Sequence, residues 1–394
     1  MSGRRVVLGV TGGIASYKAC ALARRLVETG ADVQVVLTSA ATEFVGPVTF
    51  EALTGKAPLQ SLWQAGTTLA HVHLARDADL VILAPATANV LARAAQGLAD
   101  DLLTALLLAR TGPVLCAPAM NDRMYAHPAT QQNIRQLIAR RWTIVGPATG
   151  PLAEGDSELP GRMSEPEEIL VWAERLLRSR GPLAGRRVVV TAGPTREPLD
   201  PVRVLTNRSS GRMGYALAAA GFARGAEVVL ISGPTQLEPP IGVETRRIET
   251  TQDLARAVSA ALSGATVLVM AAAPADFAPA KRETTKRPRL EGPRTLALTA
   301  TPDVLVTTRA RRPKGCITVG FALETGNGLR RAREKLERKD LDMVVLNHAD
   351  EPGAGPEVET NRVSLVTARG HEDVPFGSKR DVAERIWDAV EAML

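Results

Sequence analysis

The sequence has few aromatic residues, 3% of the chain, and only three cysteines among 394 residues. So few rings exclude an aromatic platform for stacking single-stranded nucleic acid. They also leave the core to Ala, Val, Leu and Ile. Cys20, Cys116 and Cys316 lie far apart with no Cys-x-x-Cys pair. That excludes a disulfide framework or zinc knuckle and suits a reducing cytoplasm. Charge of one sign is scarce too. The excess is +6, with basic and acidic residues interspersed, which argues for solvated faces and small anionic substrates rather than a nucleic-acid partner. The longest apolar region, Leu80 to Cys116, is broken by Arg93, Asp100, Asp101 and Arg110, so it is no membrane span. The run Val6–Val10 is too short for a signal-peptide core. A soluble cytoplasmic protein with no membrane partner is expected. Finally, neither Gly-x-Gly-x-x-Gly after a strand nor Gly-x-x-x-x-Gly-Lys-Ser/Thr occurs, which removes dinucleotide-dehydrogenase and P-loop chemistry.

What is present is the balance of an ordinary globular protein, 45% hydrophobic and 23% charged, long enough for two domains. Short β-branched runs alternate with helical patterns, the sign of parallel sheets covered by helices. In the first half the strand candidates are 6–10, 33–38, 80–84, 114–117 and 143–145, and the helical stretches include 17–29, 88–96, 131–140 and 167–178. The pattern restarts at Arg186-Arg-Val-Val-Val-Thr-Ala-Gly-Pro194, with further strands at 227–232, 266–271, 318–321, 342–346 and 362–367, the last a candidate antiparallel strand. The segment Ser179-Arg-Gly-Pro-Leu-Ala-Gly185 has linker composition. The fold class expected is α/β: two tandem Rossmann-like three-layer domains with mainly parallel sheets, residues 1–180 and 181–394.

Four strand ends of the first half carry small polar residues: Thr11-Gly-Gly-Ile-Ala-Ser-Tyr-Lys18, Thr38-Ser-Ala-Ala41, Ala84-Pro-Ala-Thr-Ala-Asn89 and Ala117-Pro-Ala-Met-Asn121. Ligands of open parallel sheets sit outside the carboxyl ends of strands, and glycines there expose backbone N–H groups to phosphate. A mononucleotide-like ligand is expected. His71, in Leu69-Ala-His-Val-His-Leu74, is by its spacing alone an ordinary structural histidine.

Together with Pro160-Gly-Arg-Met163, these motifs occur in the order and spacing of flavin-dependent cysteine decarboxylases. Residues 4–180 resemble the phosphopantothenoylcysteine decarboxylase family, whose domain is flavodoxin-like. The resemblance implies FMN bound by Gly12, Gly13, Ser39 and Thr87, His71 as catalytic base and Asn121 on the substrate carboxylate. Oxidation of the substrate's thiol end gives a thioaldehyde beta to the carboxylate, a sink for the electrons CO2 leaves behind. A base of near-neutral pKa suits the proton removal. One departure concerns the substrate loop, Leu152-Ala-Glu-Gly-Asp156, which has Glu154 where the family commonly has a proton-donating Cys. Glu154 is expected to replace it as the acid.

In the second half, Ala192-Gly-Pro-Thr-Arg-Glu-Pro-Leu-Asp-Pro-Val-Arg203 leads to Thr206-Asn-Arg-Ser-Ser-Gly-Arg-Met-Gly214 at a helix start. Ala272-Ala-Pro-Ala-Asp-Phe277, a basic loop 281–289, Thr301-Pro-Asp303, Val319-Gly-Phe-Ala-Leu-Glu-Thr325 and a Lys-rich helix follow. This ordered set resembles phosphopantothenate–cysteine ligases over residues 186–392. The resemblance implies activation of 4′-phosphopantothenate by CTP and Mg2+ to an acyl-cytidylate, from which the amine of cysteine displaces CMP. It puts Lys286, Lys335 and Lys339 on the phosphates, Asp276 and Phe321 on the nucleotide, Pro302 and Asp303 along the same site, and Asn207 and Arg203 on the acyl-cytidylate and substrate. The family's basic loop ends in lysine, whereas this chain has Lys286-Arg-Pro-Arg289.

Both halves on one chain resemble the bacterial bifunctional decarboxylase–ligase family of coenzyme A biosynthesis. That implies a homo-oligomer, dodecamer-like, with FMN sites between decarboxylase protomers. Two other readings remain: a ligase fused to a decarboxylase that stops at the enethiol, and a non-catalytic flavin-binding regulatory module.

Overall fold

A computed structural model describes residues 1–63, 69–153, 155, 157–286, 295–324, 327–348, 353, 355 and 357–394. The chain divides into two compact units, Met1–Arg178 and Ser179–Leu394.

In the first unit the order is β1 (Arg5–Val10), α1 (Ser16–Glu28), β2 (Asp32–Leu37), α2 (Pro47–Thr54), α3 (Ala70–Asp77), β3 (Leu80–Ala86), α4 (Ala88–Gln96), α5 (Leu102–Ala109), β4 (Val114–Pro118), α6 (Asp122–Ala126), α7 (Pro128–Ala139), β5 (Thr143–Ile144) and α8 (Pro166–Leu177). The strands form one parallel sheet in the order β2-β1-β3-β4-β5. This is the doubly wound arrangement in which the crevice opens where strand order reverses, beside β1 and β3. Period-2 alternation divides each strand between two cores. Leu80, Ile82 and Ala84 face Leu22, Leu26 and Ile169, while Val81 and Leu83 face Leu91, Leu103, Leu106 and Leu137. With both faces covered, β3 is buried along its whole length, which is why it reads as a continuous apolar run.

In the second unit come β6 (Arg187–Ala192), β7 (Arg196–Pro198), β8 (Val204–Thr206), α9 (Arg212–Ala223), β9 (Glu227–Ser232), β10 (Glu244–Arg247), α10 (Thr251–Ala261), β11 (Ala265–Met270), β12 (Phe277–Pro279), β13 (Leu298–Ala300), α11 (Val304–Thr307), β14 (Ile317–Glu324), α12 (Gly328–Lys339), β15 (Met343–His348), β16 (Thr360–Thr367), β17 (Gly370–Ser378) and α13 (Lys379–Glu391). The main sheet runs β10-β9-β6-β11-β14-β15-β16-β17. Its first six strands are parallel, and β16 and β17 add antiparallel. β7 with β8 and β12 with β13 make two small hairpin-like pairs beside it. Trp387 of α13 is fully buried and donates its indole N–H to the Leu217 carbonyl at 2.9 Å, tying α13 to α9. Among the described residues no helix is long and apolar enough to cross a membrane.

Candidate functional site

The carboxyl ends of β1, β2, β3 and β4 open into one cleft of about 750 Å3 in the first unit. Gly12, Gly13, Ser39, Thr87 and Asn121 all line it, so the structure brings these five sequence-predicted residues together. The turn after β1 is packed tightly. A Cβ on Gly12 would lie 2.5 Å from the Ala40 Cβ and 2.7 Å from its carbonyl oxygen, so only glycine lets this turn meet the one after β2. The Thr11 hydroxyl donates to the Pro85 carbonyl at 2.8 Å and accepts from the Thr87 N–H at 3.2 Å, joining β1 to the start of α4. Thr38 and Thr87 accept from backbone N–H groups as N-caps, of a short 3-10 turn and of α4. Ser39 is exposed. Asn121 caps α6, its Oδ1 accepting from Arg123 N–H at 2.9 Å and Met124 N–H at 3.4 Å.

Gly161, Arg162 and Met163 close another side of the cleft. Met120 N–H donates to the Gly161 carbonyl at 3.0 Å, and a Cβ on Gly161 would lie 2.6 Å from the Met120 carbonyl oxygen. The two distant motifs meet backbone to backbone. Lys18 fastens this wall from α1. Its buried amine donates to the Met163 carbonyl at 3.0 Å and to Glu165 at 2.9 Å. Residue-type reasoning quoted Lys18 within a motif but assigned it nothing. A lysine in the first turn of α1, on the face it shares with Leu22 and Leu26, was the available signal, because such a charge needs a partner. Glu154 lies outside the described residues.

His71 is elsewhere. It is the second residue of α3 and lines a separate cavity of about 420 Å3 with Leu62, Trp63, Ala105 and Leu108. Its Nδ1 is buried and, among the described residues, has no hydrogen-bond partner. The rim of this cavity is apolar and open: Trp63 is 88% exposed and Leu108 60%.

In the second unit, residues from α11, β14 and α12 converge. The Lys335 amine donates to the Phe321 carbonyl at 2.5 Å, and Lys339 pairs with Asp303 at 2.9 Å. Burial, with Lys339 adding like-charge repulsion, lowers the Lys335 pKa to about 8. Lys339 and the cap of α11 hold the Asp303 carboxyl below its ordinary value, against the opposing effect of burial. Thr301 joins this cluster to the end of β11. Its N–H donates to the Asp276 carbonyl at 3.0 Å and its hydroxyl to the Ala275 carbonyl at 2.6 Å. The structure thus brings Asp276, Pro302, Asp303, Phe321, Lys335 and Lys339 to one end of the sheet. Asn207 reaches the same loop, donating to the Pro274 carbonyl at 2.9 Å. Arg203 makes two bonds to one oxygen of the buried Asp200, at 2.8 and 2.5 Å. Lys286 is exposed, and its segment is anchored by the Glu283 N–H to the Leu199 carbonyl at 3.0 Å, on the turn that carries Arg203.

Much of the long motif 192–203 is scaffolding for this site. The buried Glu197 carboxylate accepts from the Thr251 N–H and hydroxyl, both at 2.8 Å, at the start of α10, where the helix dipole favours an anion. Thr195 bridges from Thr251 to the Ala275 N–H. Among the described residues no group of three or more His, Cys, Asp or Glu side chains is arranged to hold a metal ion.

The family described as "Flavoprotein" matches residues 1–177, and that described as "DNA/pantothenate metabolism flavoprotein C-terminal domain" matches residues 183–394. The coenzyme A biosynthesis bifunctional protein CoaBC of Mycobacterium tuberculosis is 47% identical over 407 residues, covering 99% of this chain and 97% of that one. Its Bacillus subtilis counterpart is 43% identical over 399 residues, covering 100% and 98%. A crystal structure of the C-terminal domain of a coenzyme A biosynthesis bifunctional protein CoaBC is 36% identical, covers 54% of this chain and 97% of that one, and superposes with a TM-score of 0.47. The chain belongs to the coenzyme A biosynthesis bifunctional protein family, with a flavoprotein domain followed by a DNA/pantothenate metabolism flavoprotein C-terminal domain.

Proposed function

We propose that the chain is a bifunctional enzyme of coenzyme A biosynthesis. The second unit joins cysteine to 4′-phosphopantothenate with CTP, and the first decarboxylates the product to 4′-phosphopantetheine with FMN. The observation that carries this reading is the near full-length identity to relatives of that kind. Gly12, Gly13, Ser39, Thr87 and Asn121 also share one cleft at the strand ends of the first unit, and Asp303, Phe321, Lys335 and Lys339 come together in the second.

For the ligase, a carboxylate accepts an amine only after a phosphoryl leaving group is attached, so a triphosphate must be held and its charge neutralised. Lys335 and Lys339 supply cationic donors and Lys286 a third on the basic loop. Asp276, Pro302, Asp303 and Phe321 line the nucleotide's place. Asn207 and Arg203 serve the acyl-cytidylate and substrate, Asp200 fixing the Arg203 guanidinium in one pose. Mg2+, brought in with CTP, would neutralise part of the triphosphate charge.

For the decarboxylase, the cleft fits a flavin mononucleotide. Its volume is in the ordinary range for ligand sites, and the glycine turn and N-capped helix starts offer donors to a phosphate. FMN, when bound, takes two electrons from the substrate's thiol end and so opens a path for loss of CO2. Gly12, Gly13, Ser39 and Thr87 hold the cofactor. Asn121 orients the carboxylate by its amide donors without over-stabilising a charge that must disappear. His71 takes the proton. Because His71 lines its own open cavity, the base meets the cleft in a homo-oligomer, and the exposed Trp63 and Leu108 support a second copy covering that rim. Glu154 in place of the usual Cys favours a second reading, in which turnover ends at the enethiol; in the first, Glu154 supplies the final proton. Three free cysteines suit the cytoplasm.

The purified protein should absorb as a flavoprotein and release pyrophosphate and CO2 from phosphopantothenate, cysteine and CTP. Pyrophosphate without CO2 would remove the decarboxylase half of the proposal, and a colourless protein the FMN assignment.

A further inference from the structure

The short helix that carries His71 is held at its far end by one side chain from another helix. Arg110, the C-cap of α5, donates from Nη1 to the carbonyls of Ala75 at 2.7 Å and Ala78 at 2.8 Å, and from Nη2 to that of Asp79 at 3.1 Å. The last carbonyls of a helix have no partner within it, and the helix dipole makes that end attractive to a cation. Only Ala75 lies within α3, Ala78 being its C-cap and Asp79 the residue beyond, and a guanidinium has enough fixed donors to meet all three oxygens. Space has been left for it, since a Cβ on Gly112 would overlap the Arg110 guanidinium.

α3 depends on such contacts. It has eight residues, and its N-cap, Leu69, makes no side-chain capping bond. A helix of two turns does not hold its place by propensity. Ala75 and, less completely, Ala70 and Leu74 pack into the core shared with α5, but small apolar contacts of this kind tolerate sliding and rotation. His71 and Ala75 are four residues apart and so share a face, and His71 lines its cavity together with Ala105, Leu108 and Ala109 of α5. The Arg110 bond to the Ala75 carbonyl therefore lies one helical turn from the histidine.

We propose that Arg110 is a positioning residue for the decarboxylase. By clamping the carboxyl end of α3 onto α5 it fixes the rotation and depth at which His71 is presented. This rests on the reading of His71 as the base. Gly112 belongs to the same device, because it is the residue that admits the guanidinium.

The test uses the full-length, flavin-loaded protein and compares Arg110→Ala, Arg110→Lys, Gly112→Ala and His71→Asn. Decarboxylation of supplied phosphopantothenoylcysteine, bound flavin and ligase activity are each measured. Arg110→Ala should lower kcat for decarboxylation by about tenfold to a hundredfold, the size expected of a misplaced catalytic group, with KM changed by no more than about twofold. Bound flavin and ligase activity should be unchanged. Millimolar methylguanidinium should restore part of the rate to Arg110→Ala and none to His71→Asn. Arg110→Lys, with one amine for three carbonyls, should fall between, and Gly112→Ala should reproduce the loss with Arg110 present. An unaltered kcat in Arg110→Ala beside an inactive His71→Asn would overturn the inference alone. So would a loss of flavin or ligase activity that matches the loss of rate, which would make Arg110 a general support of the fold. Full activity in His71→Asn would overturn the reading of the base itself.

Discussion

His71 and Asn121 belong to one compact unit yet line different cavities of it, of about 420 and 750 Å3. If these are the base and the carboxylate-binding amide, a working site needs one from each of two copies. Proteins carrying His71→Asn or Asn121→Ala should each be inactive in decarboxylation. Mixed after dissociation and reassembly, they should regain about a quarter of the wild-type rate, the share of sites that draw an intact residue from each copy. Continued inactivity in a mixture shown to contain hybrid oligomers would place both residues in one protomer's site.

Gly161 is the contact through which the wall of the cleft rests on the segment carrying Asn121. Gly161→Ala would press a methyl into the Met120 carbonyl, an overpacking that costs about 1–3 kcal/mol and moves the wall. Flavin retained after gel filtration should fall and CO2 release with it, while pyrophosphate release persists. Unchanged flavin content would show that the wall adapts without disturbing the site.

The ligase should lose affinity for CTP in alkali. Lys335 has its pKa lowered to about 8, chiefly by burial, so its charge is complete below that pH and vanishes as pH rises through it. kcat/KM for CTP, which reports the free enzyme, should fall above pH 8 toward about tenfold per pH unit. Lys335→Gln should be weak at every pH and lack this limb. A profile in the wild type that stays level to pH 9.5, or about that, would mean the amine is not needed in its charged form.

Lys286→Gln separates the two reactions. It should reduce acyl-cytidylate formation, read as pyrophosphate release, by about a hundredfold. Decarboxylation of supplied phosphopantothenoylcysteine should remain intact. Loss of both would show that the units are not chemically independent.

The parallel sheets were legible because their strands are buried on both faces and read as unbroken apolar runs. α4 falls on the residues expected, 88–96, since Thr87 and Gly97 mark its ends with an N-cap and a left-handed glycine. α5 was less legible. Leu102, Leu103, Leu106 and Leu107 bury it so fully that no polar face remains to reveal a helical period. β10 and β17 were missed for the opposite reason: Glu244–Arg247 and Gly370–Ser378 are edge strands, largely solvent-facing and polar. Strand-end residues such as Gly12, Thr87 and Asn121 could be grouped from topology alone, because the ends of parallel neighbours must meet. The separation of His71 from them could not, since α3 precedes β3 rather than following a strand end, and nothing in the spacing of Ala70-His71-Val72-His73 announces which cavity the histidine faces.

The central claim is that one chain carries 4′-phosphopantothenate through to 4′-phosphopantetheine, with Glu154 in the position where the family commonly has a proton-donating Cys. Mass spectrometry of the final thiol, after incubation with phosphopantothenate, cysteine and CTP, tests it most directly. The account predicts the fully reduced 4′-phosphopantetheine, formed in step with equal amounts of pyrophosphate and CO2. A product two hydrogens lighter, the enethiol, formed no more than once per flavin and leaving that flavin reduced, would contradict it.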